Sequence, residues 1–251
     1  MSAAALFLFA HQDDEFGVFA EIERRAREGE VTCAYFTDGA AAGDPARRDA
    51  ESLAVLRRLG VAAERVHFFG VKHGIADGRL CESLPTVAAR VAALLDELPA
   101  DARVFVSAWE GGHQDHDGLH AVTATLLHER GRIAQLRQFP LYNAARCVGP
   151  FFRVLSPLAE NGPVEGLRLS WGERLRQLRH CWRYPSQWRT WLGLFPFVLL
   201  HMLLRGRQSL QAVDPARLAQ RPHAGRLFYE RRGLSSWQRM QEQLAALRGG
   251  R

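Results

Sequence analysis

Two short stretches concentrate the side chains that could do chemistry. One is His11-Gln12-Asp13-Asp14-Glu15; the other is Gly111-Gly112-His113-Gln114-Asp115-His116-Asp117. Each follows an apolar run, and together they bring imidazoles and carboxylates into two turns. Zinc favours imidazole nitrogen and carboxylate oxygen, and a catalytic zinc keeps three protein ligands and one position open to water. His11 and Asp14, three positions apart, can reach one ion, and His116 can supply the third donor from the second stretch. Asp13 is then left beside the ion, free to take a proton from a water held there. His113 can point into the same cavity as a second imidazole outside the ligand set. Asp115 can hydrogen-bond one ring nitrogen and fix its tautomer and charge. Neither stretch is decisive alone, because acids at helix starts also answer the helix dipole and a His-x-Asp-His run can be a solvated loop. Their joint placement carries the weight.

The surrounding elements supply that placement. Residues 6–10 read as a buried strand. The apolar run 3–10 has no basic segment before it and no polar spacer before His11, so it does not read as a signal peptide. A helix over 16–28, a strand over 31–36 closed by Thr37-Asp38-Gly39, and a helix over 45–59 stopped by Gly60 follow. Next come a strand over 66–69, a helix capped by Ser83 that carries Leu84, Val87, Val91, Leu94 and Leu95, a strand over 103–107 and a helix over 116–129. This alternation predicts an α/β, Rossmann-like fold, a mostly parallel sheet with helices on both faces. Ligands of such sheets bind beyond the carboxyl ends of the strands, where both stretches fall.

After about residue 140 the alternation breaks down. Residues 171–182 are rich in arginine and leucine. Residues 191–204 are apolar apart from His201, contain Pro196, and fall short of the ~20 residues a membrane span needs. A buried helix or a dimer surface is the first reading of that run; an interfacial segment flanked by Arg189, Arg205 and Arg207 is the second. Residues 237–248 fit an amphipathic terminal helix. The expected division is a catalytic core over 1–145 and an extension over 146–251 that completes the domain as a basic, largely helical, substrate- or membrane-facing lobe.

The chain has 251 residues, of which 47% are hydrophobic and 24% charged, which excludes a disordered chain, a collagen-like repeat and a disulfide scaffold. Cys33, Cys81, Cys147 and Cys181 form no CxxC pair and read as small buried hydrophobes of a reducing compartment. Lys72 is the only lysine, so the basic charge is almost all arginine, which suits phosphate and carboxylate. Residues 1–150 carry 16 basic against 21 acidic side chains, and residues 151–251 carry 17 against 6. That excess suits an anionic partner such as phospholipid or a lipid-linked sugar phosphate. Nucleic acid is not expected, for no aromatic-basic RNA-binding consensus or zinc-finger spacing is present.

Ala10-His11-Gln12-Asp13-Asp14-Glu15 with Gly112-His113-Gln114-Asp115-His116 resembles the PIG-L/LmbE-like family of metal-dependent de-N-acetylases, whose usual forms are A-H-P-D-D-E and H-P-D-H. The resemblance covers roughly the first 140 residues. It implies a catalytic zinc, with ferrous iron as the other candidate, and hydrolysis of an N-acetyl group from an N-acetylglucosamine-type sugar on a larger conjugate. It implies His11, Asp14 and His116 as ligands and Asp13 as general base. More than spacing, it divides the histidines, leaving His113 to stabilise the oxyanion or protonate the departing amine, with Asp115 orienting it. Thr37-Asp38-Gly39 resembles a family turn. Arg48, in Arg48-Asp49-Ala50-Glu51, and Asp77, before Gly78, resemble positions that face the substrate; a surface ion pair with Glu51 and an ordinary Asp-Gly turn are the plain alternatives. Both motif prolines are glutamines here, Gln12 and Gln114, which relaxes each loop and adds an amide donor and acceptor. The alternatives to this function are an amidase on a soluble or non-sugar N-acyl conjugate, and a non-catalytic, metal-stabilised binding protein. The expected location is cytoplasmic, with peripheral contact at the inner face of an anionic membrane.

Overall fold

The computed structural model describes residues 4–249, so the first and last residues of the two expected segments lie outside the described residues, as does Ala3 of the opening apolar run. In chain order the first half runs β1 (Ala5–Phe9), α1 (Phe19–Glu28), β2 (Val31–Tyr35), α2 (Pro45–Arg58), β3 (Val66–Phe68), α3 (Gly70–His73), α4 (Leu84–Glu97), β4 (Arg103–Ser107) and α5 (Gln114–Glu129). The second half runs β5 (Leu136–Phe139), β6 (Tyr142–Asn143), β7 (Arg153–Val154), β8 (Val164–Arg168), α6 (Trp171–Cys181), α7 (Trp188–Leu204), β9 (Arg207–Ala212), α8 (Phe228–Arg231) and α9 (Trp237–Gly249).

The main sheet has seven strands in the order β3-β2-β1-β4-β5-β9-β8. The first five are parallel, while β9 is antiparallel to both β5 and β8. β1 is central and buried on both faces, which is why its sequence, Ala-Leu-Phe-Leu-Phe, is apolar throughout. Leu6, Leu8 and Ala10 pack under α4, α5 and α9; Ala5, Phe7 and Phe9 pack on the opposite side with α1, α2, α6 and α7. The expected mostly parallel sheet with helices on both faces is therefore present.

Strand order reverses between β1 and β4: from β1 the chain builds outward through β2 and β3, then returns to add β4 and β5 on the other side. The loops after β1 and β4 thus leave the sheet side by side and diverge, opening a crevice between them. Those two loops carry His11–Glu15 and Gly111–His113.

β5 and the strands beyond it escape the sequence reading. In β5 the apolar run is broken by Arg137 and Gln138, yet Gln138 is buried and useful. Its amide accepts from the Trp109 N–H at 3.0 Å and donates to the Ala212 carbonyl at 3.1 Å, stitching β9 to the core. Among the described residues the basic segment carries four helices, α6 to α9, and also adds β8 and β9 to the main sheet.

Candidate active site

The β1 loop turns sharply. Asp13 adopts a left-handed backbone, φ 97°, which is uncommon for a residue with a side chain. Glu15 stabilises it: one carboxylate oxygen accepts from the Asp13 N–H at 2.9 Å and the other from the Tyr35 hydroxyl at 2.7 Å. The Asp14 carboxylate accepts from the His11 N–H at 2.8 Å, folding the turn back on itself. The second loop ends at His113, whose ring Nδ1 accepts from the Asp115 N–H at 3.2 Å and caps α5. Gly112 has no alternative, because a Cβ there would stand 2.1 Å from the Tyr142 carbonyl oxygen. Asp117 holds the same loop by accepting from the Glu110 and Gly111 N–H groups, both at 3.2 Å.

These turns bring His11, Asp14 and His116 together. His116 Nε2 lies 3.1 Å from His11 Nδ1 and 3.0 Å from an Asp14 carboxylate oxygen. Two imidazole nitrogens and a carboxylate oxygen converging in a buried place fit a divalent cation, and the donor set suits zinc chemistry. Across its ring, His11 Nε2 meets Asp115 at 3.1 Å and Asp77 at 3.2 Å. A carboxylate behind an imidazole ligand fixes its tautomer and raises its basicity. His11, Asp77 and His113 form a second group with donor atoms close together, sharing the His11 ring with the first.

The partner of Asp115 differs from the expected one. Its carboxylate meets His11 and accepts from the Gly78 and Leu80 N–H groups at 2.7 and 3.1 Å, whereas His113 Nδ1 stands 4.0 Å away. Capping two N–H groups of the neighbouring loop aims the carboxylate at His11. Arg48 likewise makes no pair with Glu51, which bonds Arg47 and Ser186. Buried instead, its guanidinium donates to the carbonyls of Gly39 and Gln12, both at 2.6 Å, and pairs with Asp77 at 3.2 Å and Asp13 at 3.6 Å. Asp77 is more than a turn residue, since it bridges His11 and Arg48.

The glutamines at the two proline positions both act as ties. Gln12 donates to Asp49 of α2 at 2.6 Å, and Gln114 donates to the Gly78 carbonyl at 2.9 Å. Each thus anchors its motif loop to a neighbouring segment.

Burial and neighbours set the charges. At Asp13 burial pushes the carboxyl well above its ordinary range, and Arg48 only partly offsets this. Burial pushes Asp14 the same way, but His116 and His11 outweigh it and hold the group well below the usual range. His11 is raised well above ordinary histidine: burial opposes its charge, and Asp77, Asp115 and Asp14 together prevail. Burial and the neighbouring His11 push His113 down to about 4, so it is neutral near pH 7, with an N–H to donate.

The cluster opens into a cavity of about 380 Å³ whose wall includes His11, Asp13, Asp14, Arg48, Asp77 and His113. Tyr142, Gln187, Thr190, Leu194 and Arg232 also line it, and none of them stands out in the sequence as a site residue. Tyr142 stacks edge-on against His116, with ring centroids 5.6 Å apart. It follows β5 by three residues, so the strand-end rule that found the two motif loops would have found it had β5 been recognised. Glu110 is buried, accepting from the Leu141 and Tyr142 N–H groups and the Asn143 amide, and burial pushes it up to about 6.

Comparison with known proteins gives a family match and a shared fold. Residues 6–127 match the PIG-L family model, described as GlcNAc-PI de-N-acetylase. Among solved structures, the chain is similar to Dbv21, the deacetylase of the antimicrobial A40926 pseudoaglycone, at 19% identity and TM-score 0.63, over 86% of this chain and 98% of that one. It is similar to the zinc-inhibited form of teicoplanin deacetylase Orf2 at 18% identity and TM-score 0.61, over 84% and 99%. It is also similar to N,N'-diacetylchitobiose deacetylase from Pyrococcus horikoshii at 16% identity and TM-score 0.62, over 86% and 85%. At these identities the likeness establishes the fold. None of the curated proteins matches the chain.

Proposed function

We propose that the chain removes the N-acetyl group from an amino sugar on a larger conjugate, using a zinc ion held by His11, Asp14 and His116; the match of residues 6–127 to the PIG-L family model supports it. The observation that carries this reading is the meeting of His116 Nε2 with His11 Nδ1 and Asp14, with the unligated Asp13 carboxylate in the same cavity wall. The family's sugar substrates and the deacetylases of like fold support it.

A cation held by His11, Asp14 and His116 would supply Lewis acidity to the acetyl carbonyl and to a water molecule. Asp13 takes a proton from that water, whose oxygen adds to the acetyl carbon. His113, neutral, donates its N–H to the oxygen of the tetrahedral centre. The C–N bond then breaks, the amine nitrogen receives the proton, and acetate and the free amino sugar leave. Arg48 holds Asp13 and Asp77 in register, and Asp115 and Asp77 hold the His11 ring. Residues 1–145 are the catalytic core in this reading, and residues 146–251 complete it. We favour an anionic, lipid-linked carrier for the sugar, met at the cytoplasmic membrane face, because the arginine excess lies in that second segment.

A panel of N-acetyl amino sugars and simple amides, assayed for acetate, tests the proposal. Chelation should abolish release and added zinc restore it. Asp13→Asn should keep the metal while losing about 10²–10⁴ in turnover. Full turnover in that variant would remove Asp13 from the mechanism, and release from non-sugar amides alone would make the protein a general amidase.

A further inference from the structure

α7 joins two places. Thr190 and Leu194 line the catalytic cavity, whereas Phe197, Leu200, His201 and Leu204, with Arg205 just past the helix end, line a separate groove that starts about one turn further along. The groove comprises two adjoining hollows of about 230 and 350 Å³ that share Arg153, Ser156, His201 and Arg205. One hollow is basic, with Arg153, Arg205 and Arg207 around it and no acid in its wall. The other is apolar on one side, formed by Phe152, Phe197, Leu200 and Leu204. Among the described residues, these three guanidinium groups make no hydrogen bond, ion pair or ring contact. Leu200, Leu203 and Leu204 stand at least half exposed beside them.

A groove with free arginines at one end and bare leucines at the other matches an amphiphile bearing a phosphate. Among the described residues none lines both the groove and the catalytic cavity, and the Phe152 ring of the groove packs on Tyr142 of the cavity wall, on Phe197 and on Phe228. The groove is therefore a separate site from the cavity. We propose that this groove seats one anionic phospholipid of a bilayer, its phosphate against Arg153, Arg205 and Arg207 and its chains along Phe197, Leu200 and Leu204. The exposed Trp182 and Trp188, just after α6 and at the start of α7, suit the headgroup level of the same surface. The lipid site stands without the de-N-acetylase reading; only its consequence, a catalytic cavity held at a membrane, rests on it.

Flotation of the full chain with vesicles tests the site. The chain should float with phosphatidylcholine mixed with phosphatidylglycerol, and not with phosphatidylcholine alone. Arg205→Gln with Arg207→Gln should cut partitioning by between about tenfold and thirtyfold, since each surface arginine near an anionic bilayer contributes a few-fold or more. The control, Arg57→Gln with Arg58→Gln on α2, should partition as the wild type does. Monomeric dihexanoyl-phosphatidylglycerol should bind with saturation, and inorganic phosphate should not displace it. Equal flotation on neutral vesicles, equal loss in the α2 control, displacement by phosphate alone, or a lipid-free dimer broken by the groove substitutions would each overturn the proposal. His116→Ala, which lacks one proposed metal ligand, should float like the wild type. A chain that hydrolyses N-acetyl sugars yet never floats would sink the lipid site and leave the enzymatic reading intact; one that floats and hydrolyses nothing would do the reverse.

Discussion

The loops after β1 and β4 and the groove beside the end of α7 both gather charge, but they treat it in opposite ways. Around these loops, Asp14, Asp77 and Asp115 are buried or nearly so, and each faces an imidazole, a guanidinium or backbone N–H groups. In the groove the arginines are exposed and unanswered by the protein. A buried charge costs several kcal/mol unless it is paired, so the first cluster must be assembled as the chain folds. Exposed arginines are solvated and impose no such condition. The first region is thus fixed before any ligand arrives, while the second is free to take its partner from outside.

The sharpest way to break this contrast is to remove the cation that the site depends on and the fold has buried. Arg48→Met keeps much of the volume but leaves the Gly39 and Gln12 carbonyls and the Asp13 and Asp77 carboxylates without their shared donor. Breaking one partner of a buried ionic network typically costs about 3–5 kcal/mol. Urea unfolding should show a loss of that order, and acetate release should fall with it. A cost under about 1 kcal/mol, typical of surface pairs, would mean that the network is not the scaffold of the site.

How much of this was readable beforehand follows from the same contrast. The convergence of His11, Asp14 and His116 is legible because buried polar chemistry demands particular residue types: histidines and aspartates directly after apolar strands have few structural excuses. The mostly parallel sheet with helices on both faces is implied by the alternation through α5. β5 was not legible, since Gln138 and Arg137 interrupt its apolar run and the burial of Gln138 depends on β9, far away in sequence. With β5 hidden, Tyr142 was hidden too. The resemblance assigns Asp115 to His113, but the Gly78 and Leu80 N–H groups, from a loop far away in sequence, turn the carboxylate toward His11. The groove gave no motif because its residues, 153, 197–207, come from strands and a helix that share no local pattern.

A smaller effect sharpens the contrast through pH. His120, one turn beyond His116 on α5, is buried and bonds the Ser107 carbonyl at 2.8 Å. Burial, only partly offset by that carbonyl, pushes it down to about 4, so the folded state holds it neutral while the unfolded chain protonates it near 6.5. Between those values the unfolded state binds the extra proton. Its contribution is therefore complete above about pH 6.5 and is lost as pH falls toward 4, at about 1.4 kcal/mol per unit. From pH 7 to pH 5 the wild type should lose about 2 kcal/mol more than His120→Gln, measured as the difference between their unfolding free energies at each pH. A parallel decline in the two proteins would mean that His120 reaches solvent.

The smallest expected effect concerns the outward face of α7. Leu192 is 73% exposed, whereas its neighbour Trp191 is buried against the Phe16 ring, with centroids 5.4 Å apart. A leucine that already meets water loses little by becoming serine, because the apolar area was never removed from solvent on folding. Leu192→Ser should thus stay within about 0.5 kcal/mol of the wild type in urea, with an unchanged slope. Truncating Trp191 would instead open a cavity in the packing beside the catalytic turn. If Leu192→Ser lost more than about 1.5 kcal/mol in a concentration-dependent way, the face would be covered in solution by a second copy of the chain. The contrast drawn above would then be between two buried regions, one closed by folding and one by assembly.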